Sequence, residues 1–203
     1  MKNYTLVIAV TSIVFAACSG GGQKKVVVMA NGKLTVTDKT ITIDPSLTHN
    51  EQELFFTDNK LTLTVHNTAG ADKTFDLTEN GAYLLNLQSD TLIGGVVNYG
   101  SGGMPSTITA EALDHIIDST QQLMAGQNAN DAKGTFFMTP FTLKKISAKD
   151  NARLIGSFKG IPYKFEEDNT GKVPEVFKFF TTKQKRETLR DLIEERNKIK
   201  NIH

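Results

Sequence analysis

Along the first half of the chain, apolar and polar residues change places every second position, the rhythm of strands with one buried face. Leu61, Leu63 and Val65 alternate with Thr62 and Thr64, and Thr40-Ile41-Thr42-Ile43 repeats the scheme until Pro45 stops it. Residues 26–30 form an unbroken apolar run, and residues 33–37 follow it across Asn31-Gly32. Asn-Gly supplies the two positive-φ residues of a type I′ turn, so a tight hairpin is predicted there. Ala69-Gly70-Ala71-Asp72 leads into 74–77, and Glu79-Asn80-Gly81 reverses the chain into 82–87. Residues 92–98 are a further apolar run, in which Gly94-Gly95 implies a bulge or a close backbone contact. Six or seven short strands with regular turn signals predict a β-sandwich or barrel.

The rhythm breaks at Gly100-Ser101-Gly102-Gly103-Met104-Pro105. Beyond it Leu113, Ile116, Ile117, Leu123 and Met124 fall at helical spacing on one face. Thr107 or Thr109 can cap this helix, and Gly126 can end it. Residues 127–134 are small and polar, hence a loop. Residues 135–138 and 143–146 look like strands on either side of Pro140, and 153–155 and 163–165 look like two more. The segment 183–200 is a charged amphipathic helix with Leu189, Leu192, Ile193 and Ile199 on one side. Glu194 and Lys198 form a favourable i,i+4 pair on it.

The expected class is therefore α+β, mainly β. An antiparallel β-sandwich-like half at 25–99 precedes a Gly-rich linker at 100–106. A smaller mixed α/β subdomain at 107–203 then ends in a helix.

The extreme N-terminus has a different character. Lys2 gives a short positive start, residues 6–15 are apolar but for Thr11 and Ser12, and Ala16-Ala17-Cys18-Ser19-Gly20 follows. An apolar stretch of about 10 residues is too short for a bilayer core, which takes about 20. The combination reads as a secretory signal peptide over 1–17. Phe15-Ala16-Ala17-Cys18 resembles the lipobox of bacterial lipoproteins, with Phe15 standing where that family prefers Leu. The resemblance implies that Cys18 becomes the mature N-terminus and is lipidated: its thiol carries a diacylglycerol, and its amino group takes a further acyl chain such as palmitate. Each buried CH₂ contributes about 0.8 kcal/mol, so one chain holds marginally and two or three hold stably. Residues 18–24 then serve as a lipidated tether, made flexible by Gly20-Gly21-Gly22. Ser19 is not the Asp that retains such proteins at an inner membrane. The implied address is thus the cell envelope, at the outer membrane where the envelope has two.

Charge and composition narrow the function. The chain has 203 residues with 23 Lys and Arg against 22 Asp and Glu, and losing Lys2 with the leader leaves it neutral. Neutrality argues against nucleic acid as a partner, since that needs a clustered basic surface. Cys18 is the single cysteine. Its acylation removes thiol nucleophiles, redox pairs, thiolate zinc and blue copper together. His49, His66, His115 and His203 include no i,i+4 pair that would hold zinc on a helix. His49 and His66 could meet across the β-region, but a solvated surface role accounts for both. The Gly-rich stretch at 100–103 is an incomplete phosphate loop, and Pro105 removes a donor. Residues 128–134 and Glu166-Glu167-Asp168-Asn169 carry oxygen ligands without EF-hand spacing.

No catalytic, cofactor or metal residue is assigned from the sequence; Cys18 is the one site. The expectation is a membrane-anchored envelope lipoprotein with a non-catalytic binding or assembly role toward an envelope protein or glycan. The alternative is a small-ligand binder or enzyme with its site between the two halves.

Overall fold

A computed structural model describes residues 22–97, 109–162 and 173–201. Among them, ten strands run in chain order: β1 (Lys24–Thr37), β2 (Thr40–Phe56), β3 (Leu61–Asn67), β4 (Lys73–Leu77) and β5 (Gly81–Leu87), then β6 (Leu92–Val96), β7 (Thr135–Met138), β8 (Thr142–Ser147), β9 (Arg153–Ile155) and β10 (Val176–Thr181). Helix α1 (Ala110–Met124) lies between β6 and β7, and α2 (Thr182–Asn201) follows β10. The α+β, mainly β class and the C-terminal helix are as expected.

The strands form a six-stranded sheet, β4-β3-β2-β1-β5-β8, and a four-stranded sheet, β7-β6-β10-β9. Both are mixed rather than purely antiparallel, because β1/β5, β2/β3 and β9/β10 run parallel. Each sheet also draws strands from both sides of residues 100–106: β8 completes the first beside β5, and β6 stands inside the second. The 163–165 strand expectation lies outside the described residues.

One hairpin differs from the sequence reading. Asn31-Gly32 is no turn; β1 runs through it, and the reversal comes at Asp38-Lys39, with Asp38 at φ 52°. The ladder steps from Asn31↔His49 to Gly32↔Pro45, so Ser46, Leu47 and Thr48 bulge out of β2. Gly32 sits at φ 141°, and a Cβ there would lie 2.2 Å from the Asp44 carbonyl oxygen. A bulge and a type I′ turn both demand a positive-φ glycine, so the dipeptide fits either. Pro45 does not end β2 either, because a proline at a bulge forfeits no ladder bond.

The continuous apolar runs have a packing cause. Val26, Val28 and Ala30 of β1 join Ile41, Ile43, Leu61, Leu63, Val65, Leu77 and Leu85 in a core enclosed by the curled six-stranded sheet. The alternate residues Val27 and Met29 face the other way, with Leu84, onto Leu92, Phe136, Met138, Leu154, Phe177 and Phe179 of the second sheet and its flanks. A strand buried on both faces has no polar side to show. Lys24 and Lys25 at the start of β1 and Asn86, fully buried in β5, are exceptions. The Asn86 amide nitrogen donates to the carbonyls of Asp90, Met138 and Thr139, while its oxygen accepts from the Gln88 N–H.

Thr109 caps α1 by accepting from the Ala112 N–H, and Leu113 and Ile117 are buried beneath it. At the start of α2, Thr181 Oγ1 accepts from the Gln184 N–H while Gln184 Oε1 accepts from the Thr181 N–H, a reciprocal capping box. The helices are pinned by Asp114, whose carboxylate accepts from Arg196 at 2.6 Å and Lys200 at 2.9 Å. Those two cations, Lys200 foremost, hold the Asp114 pKa below the ordinary aspartate value.

Candidate binding cavity

Where the loop after β9 packs on the six-stranded sheet, a cavity of about 130 Å³ is left. Met29 comes from β1, His49, Asn50 and Glu51 from β2 beyond its bulge, Gln88 from the end of β5, and residues 156–159 from the loop after β9. The bulge matters here: it resets the β2 register so that His49 lies opposite Asn31 and Glu51 opposite Met29.

Charges around the cavity are paired. Glu51, 13% exposed, meets Lys159 at 3.0 Å. Lys178 of β10 reaches the same loop from behind and donates to the Gly156 and Lys159 carbonyls at 2.5 and 2.6 Å. Burial pushes its pKa below the ordinary lysine value, and the Glu51 charge partly opposes this. Gly156 leaves room for the Glu51 carboxylate: a Cβ would stand 2.2 Å from Glu51 Oε2 and push it aside. Phe158 stacks on the His49 ring at 3.5 Å, and His49 Nδ1 is 2.9 Å from Asn31 Oδ1. The loop is tied to α2 as well, through Gln184 Nε2 donating to the Ser157 carbonyl.

Two oxygens of residues in this wall are left over, both lying behind its surface. Gln88 Oε1 and Ser157 Oγ are sealed from solvent and have no hydrogen-bond partner. A buried acceptor left unsatisfied costs about 1–3 kcal/mol. With its carboxylate and ammonium groups engaged, the cavity offers hydrogen bonds and apolar contact rather than a free acid–base pair.

Of the sequence-derived candidates among the described residues, His49 lines the cavity and the others do not. Cys18 and the 100–103 stretch lie outside the described residues, as do His203 and Glu166-Glu167-Asp168-Asn169. His66 pairs with Asp72 at 2.6 Å on the surface, away from the Asn31 and Phe158 partners of His49. His115 lines an open groove of about 570 Å³ between α1 and the 127–135 loop. Asn130 caps a short 3-10 turn at Asp131–Lys133, and Asp131 pairs with Lys144 at 2.6 Å. No group of three or more His, Cys, Asp or Glu that could hold a metal occurs among the described residues. No helix among them is long and apolar enough to cross a membrane.

Sequence reasoning missed Glu51, Gln88, Ser157 and Lys178. The one available signal was Lys178 itself, a cation set inside Val176-Phe177-Lys178-Phe179-Phe180. Comparisons of the chain with family models, curated proteins and solved structures give no match.

Proposed function

We propose that this chain is a lipid-anchored protein of a bacterial cell envelope, and that its folded domain is a non-catalytic binding component docking another envelope protein. The anchor rests on the lone Cys18 directly after Phe15-Ala16-Ala17. The docking role rests on the far edge of β2. β3 covers that strand only from Thr40 to Ile43, and no strand among the described residues pairs with it beyond. Leu47, 95% exposed, and Phe55 and Phe158, each 54% exposed, stand along this stretch. Unpaired backbone groups flanked by apolar side chains fit an extended segment added as a further strand.

Two measurements test the two parts. Metabolic labelling with a fatty acid marks the wild type and spares Cys18→Ser; labelling of both, or of neither, rules out the anchor. A photo-cross-linker at Leu47 in intact cells yields one discrete adduct. Phe55→Lys lowers its recovery about tenfold, the equivalent of one lost apolar burial. Absence of a consistent adduct counts against docking at this edge.

A second reading is favoured by one observation, the two partnerless oxygens of Gln88 and Ser157 beside the cavity. In that reading the domain also takes a small ligand between the six-stranded sheet and the loop after β9.

A further inference from the structure

We infer that the cavity walled by Met29, Glu51, Gln88 and the 156–159 loop binds a compact, uncharged molecule bearing a hydrogen-bond donor on a short apolar stem, of the alcohol or primary-amide class. The inference rests on the reading of the domain as a binding component and names what this part of it takes.

Size sets the first limit. An engineered cavity of about 150 Å³ holds benzene, so about 130 Å³ has room for about six non-hydrogen atoms. Polarity sets the second. Gln88 Oε1 accepts, and Ser157 Oγ both donates and accepts; neither finds a partner in the protein. Neither oxygen has accessible surface on the cavity. The terminal amide torsion of glutamine is broad and serine has alternative staggered rotamers, so a guest draws both toward itself by side-chain rotation alone. A donor-bearing guest relieves both deficits together.

Charge sets the third limit. Glu51 and Lys159 already satisfy each other, and Lys178 is spent on two carbonyls. An ionic guest would have to break one of these pairings and bury the unmatched charge, whereas a neutral one leaves them intact. The apolar side of the wall is the Met29 thioether and the ring of Phe158. A thioether adapts to varied stems. Phe158 belongs to a loop whose ring and Lys159 side chain are more than half exposed, so access lies through that loop.

The test uses the whole mature protein and five probes: propionamide, 1-propanol, propionate, propylammonium and water alone. Chemical-shift changes at the Met29 methyl and the Gln88 side-chain amide report occupancy. Propionamide and propanol are expected to bind with Kd about 1 mM, a normal affinity for so few atoms. The two ions bind at least about tenfold more weakly. Gln88→Leu and the milder Ser157→Ala each weaken propionamide about tenfold. Exposed Gln52→Leu, outside the cavity, leaves it unchanged. Should Gln88→Leu fail to fold, Ser157→Ala carries the decision alone.

Three results overturn the inference: only water in the cavity at saturating probe, equal binding of the ionic probes, or affinity indifferent to Ser157→Ala. The Leu47 adduct is read separately. Probe failure with that adduct intact removes the ligand assignment alone, and adduct failure with probe binding intact removes only the docking reading.

Discussion

Gly94→Ala is expected to destabilise the domain by about 3 kcal/mol or more, because overpacking against immovable atoms exceeds the usual strain of a core substitution. Gly94 lies in the middle of β6, opposite Phe179 of β10 on one side and Phe136 of β7 on the other. A Cβ there would stand 2.2 Å from the Lys178 carbonyl oxygen and 2.8 Å from both Phe179 Cα and Phe179 Cδ1. The closest of these are backbone atoms, and β10 cannot retreat freely: β9 holds its other side, and it runs without a linker into α2. A displaced β10 would also drag Lys178 from the two carbonyls that seat the cavity loop. For a domain of this size the loss corresponds to a Tm lower by about 10 °C. Gly160→Ala is the control, since a Cβ at that position meets nothing within 4 Å. It should stay within about 0.5 kcal/mol of the wild type. Thermal melts followed by circular dichroism decide the matter; a Gly94→Ala curve overlaying that of Gly160→Ala would refute the steric account.

Gly94 also illustrates how far the sequence could be read. A Gly-Gly pair in an apolar run announces a close backbone approach, and the close approach is there, though without a bulge. The alternation in β3 was equally visible, because it follows from which face touches core; the apolar run of β1 was visible too, but its burial on both faces was not read from it. The second half of β2 was not. His49-Asn50-Glu51-Gln52-Glu53 has no apolar alternation, since it lies at an open edge and is held mainly by backbone bonds to β1. β10 was missed for the opposite reason: it is apolar apart from the terminal Thr181 and Lys178, whose charge is answered by carbonyls about twenty residues away. Chain order also misled the sheet assignment. Parallel pairings such as β1/β5 join residues about sixty apart, and no local pattern encodes such a partner. The cavity combines both difficulties. Its walls come from residues 29, 49–51, 88 and 156–159, so no spacing motif exists to find.

The buried lysines lead to the other large effect, a stability that rises with pH through the alkaline range. Burial holds the pKa values of Lys25, Lys178 and Lys185 below the ordinary 10.5. Between each lowered value and 10.5 the unfolded chain binds more protons than the folded one, so raising the pH favours folding. The gain ends near pH 10. There Tyr83, whose pKa burial raises above 10.0, begins to favour the unfolded phenolate. Lys39 and Lys198, both raised, oppose further gain above 10.5. Urea midpoints should therefore climb as the pH is raised toward about 10.

Lys25 allows the cause to be isolated. Its side chain is 2% exposed, with Glu53, 34% exposed, at 3.1 Å, and the Ala152 carbonyl at 3.3 Å. Glu53→Gln strands the ammonium and should destabilise the neutral-pH fold by about 2 kcal/mol, below the fully buried case because Glu53 itself is part-solvated. Lys25→Met keeps the apolar stem, removes the charge, and should be neutral or stabilising. The two variants should also move the alkaline slope in opposite directions. Glu53→Gln steepens it by withdrawing the charge that raises the Lys25 pKa, and Lys25→Met flattens it by removing a titrating group. In the double variant the Gln substitution should do little further harm, because no buried ammonium is left for Glu53 to answer. A Lys25→Met protein whose urea midpoint climbs as steeply as that of the wild type would show that this amine is already solvated, and the account of its burial would fail.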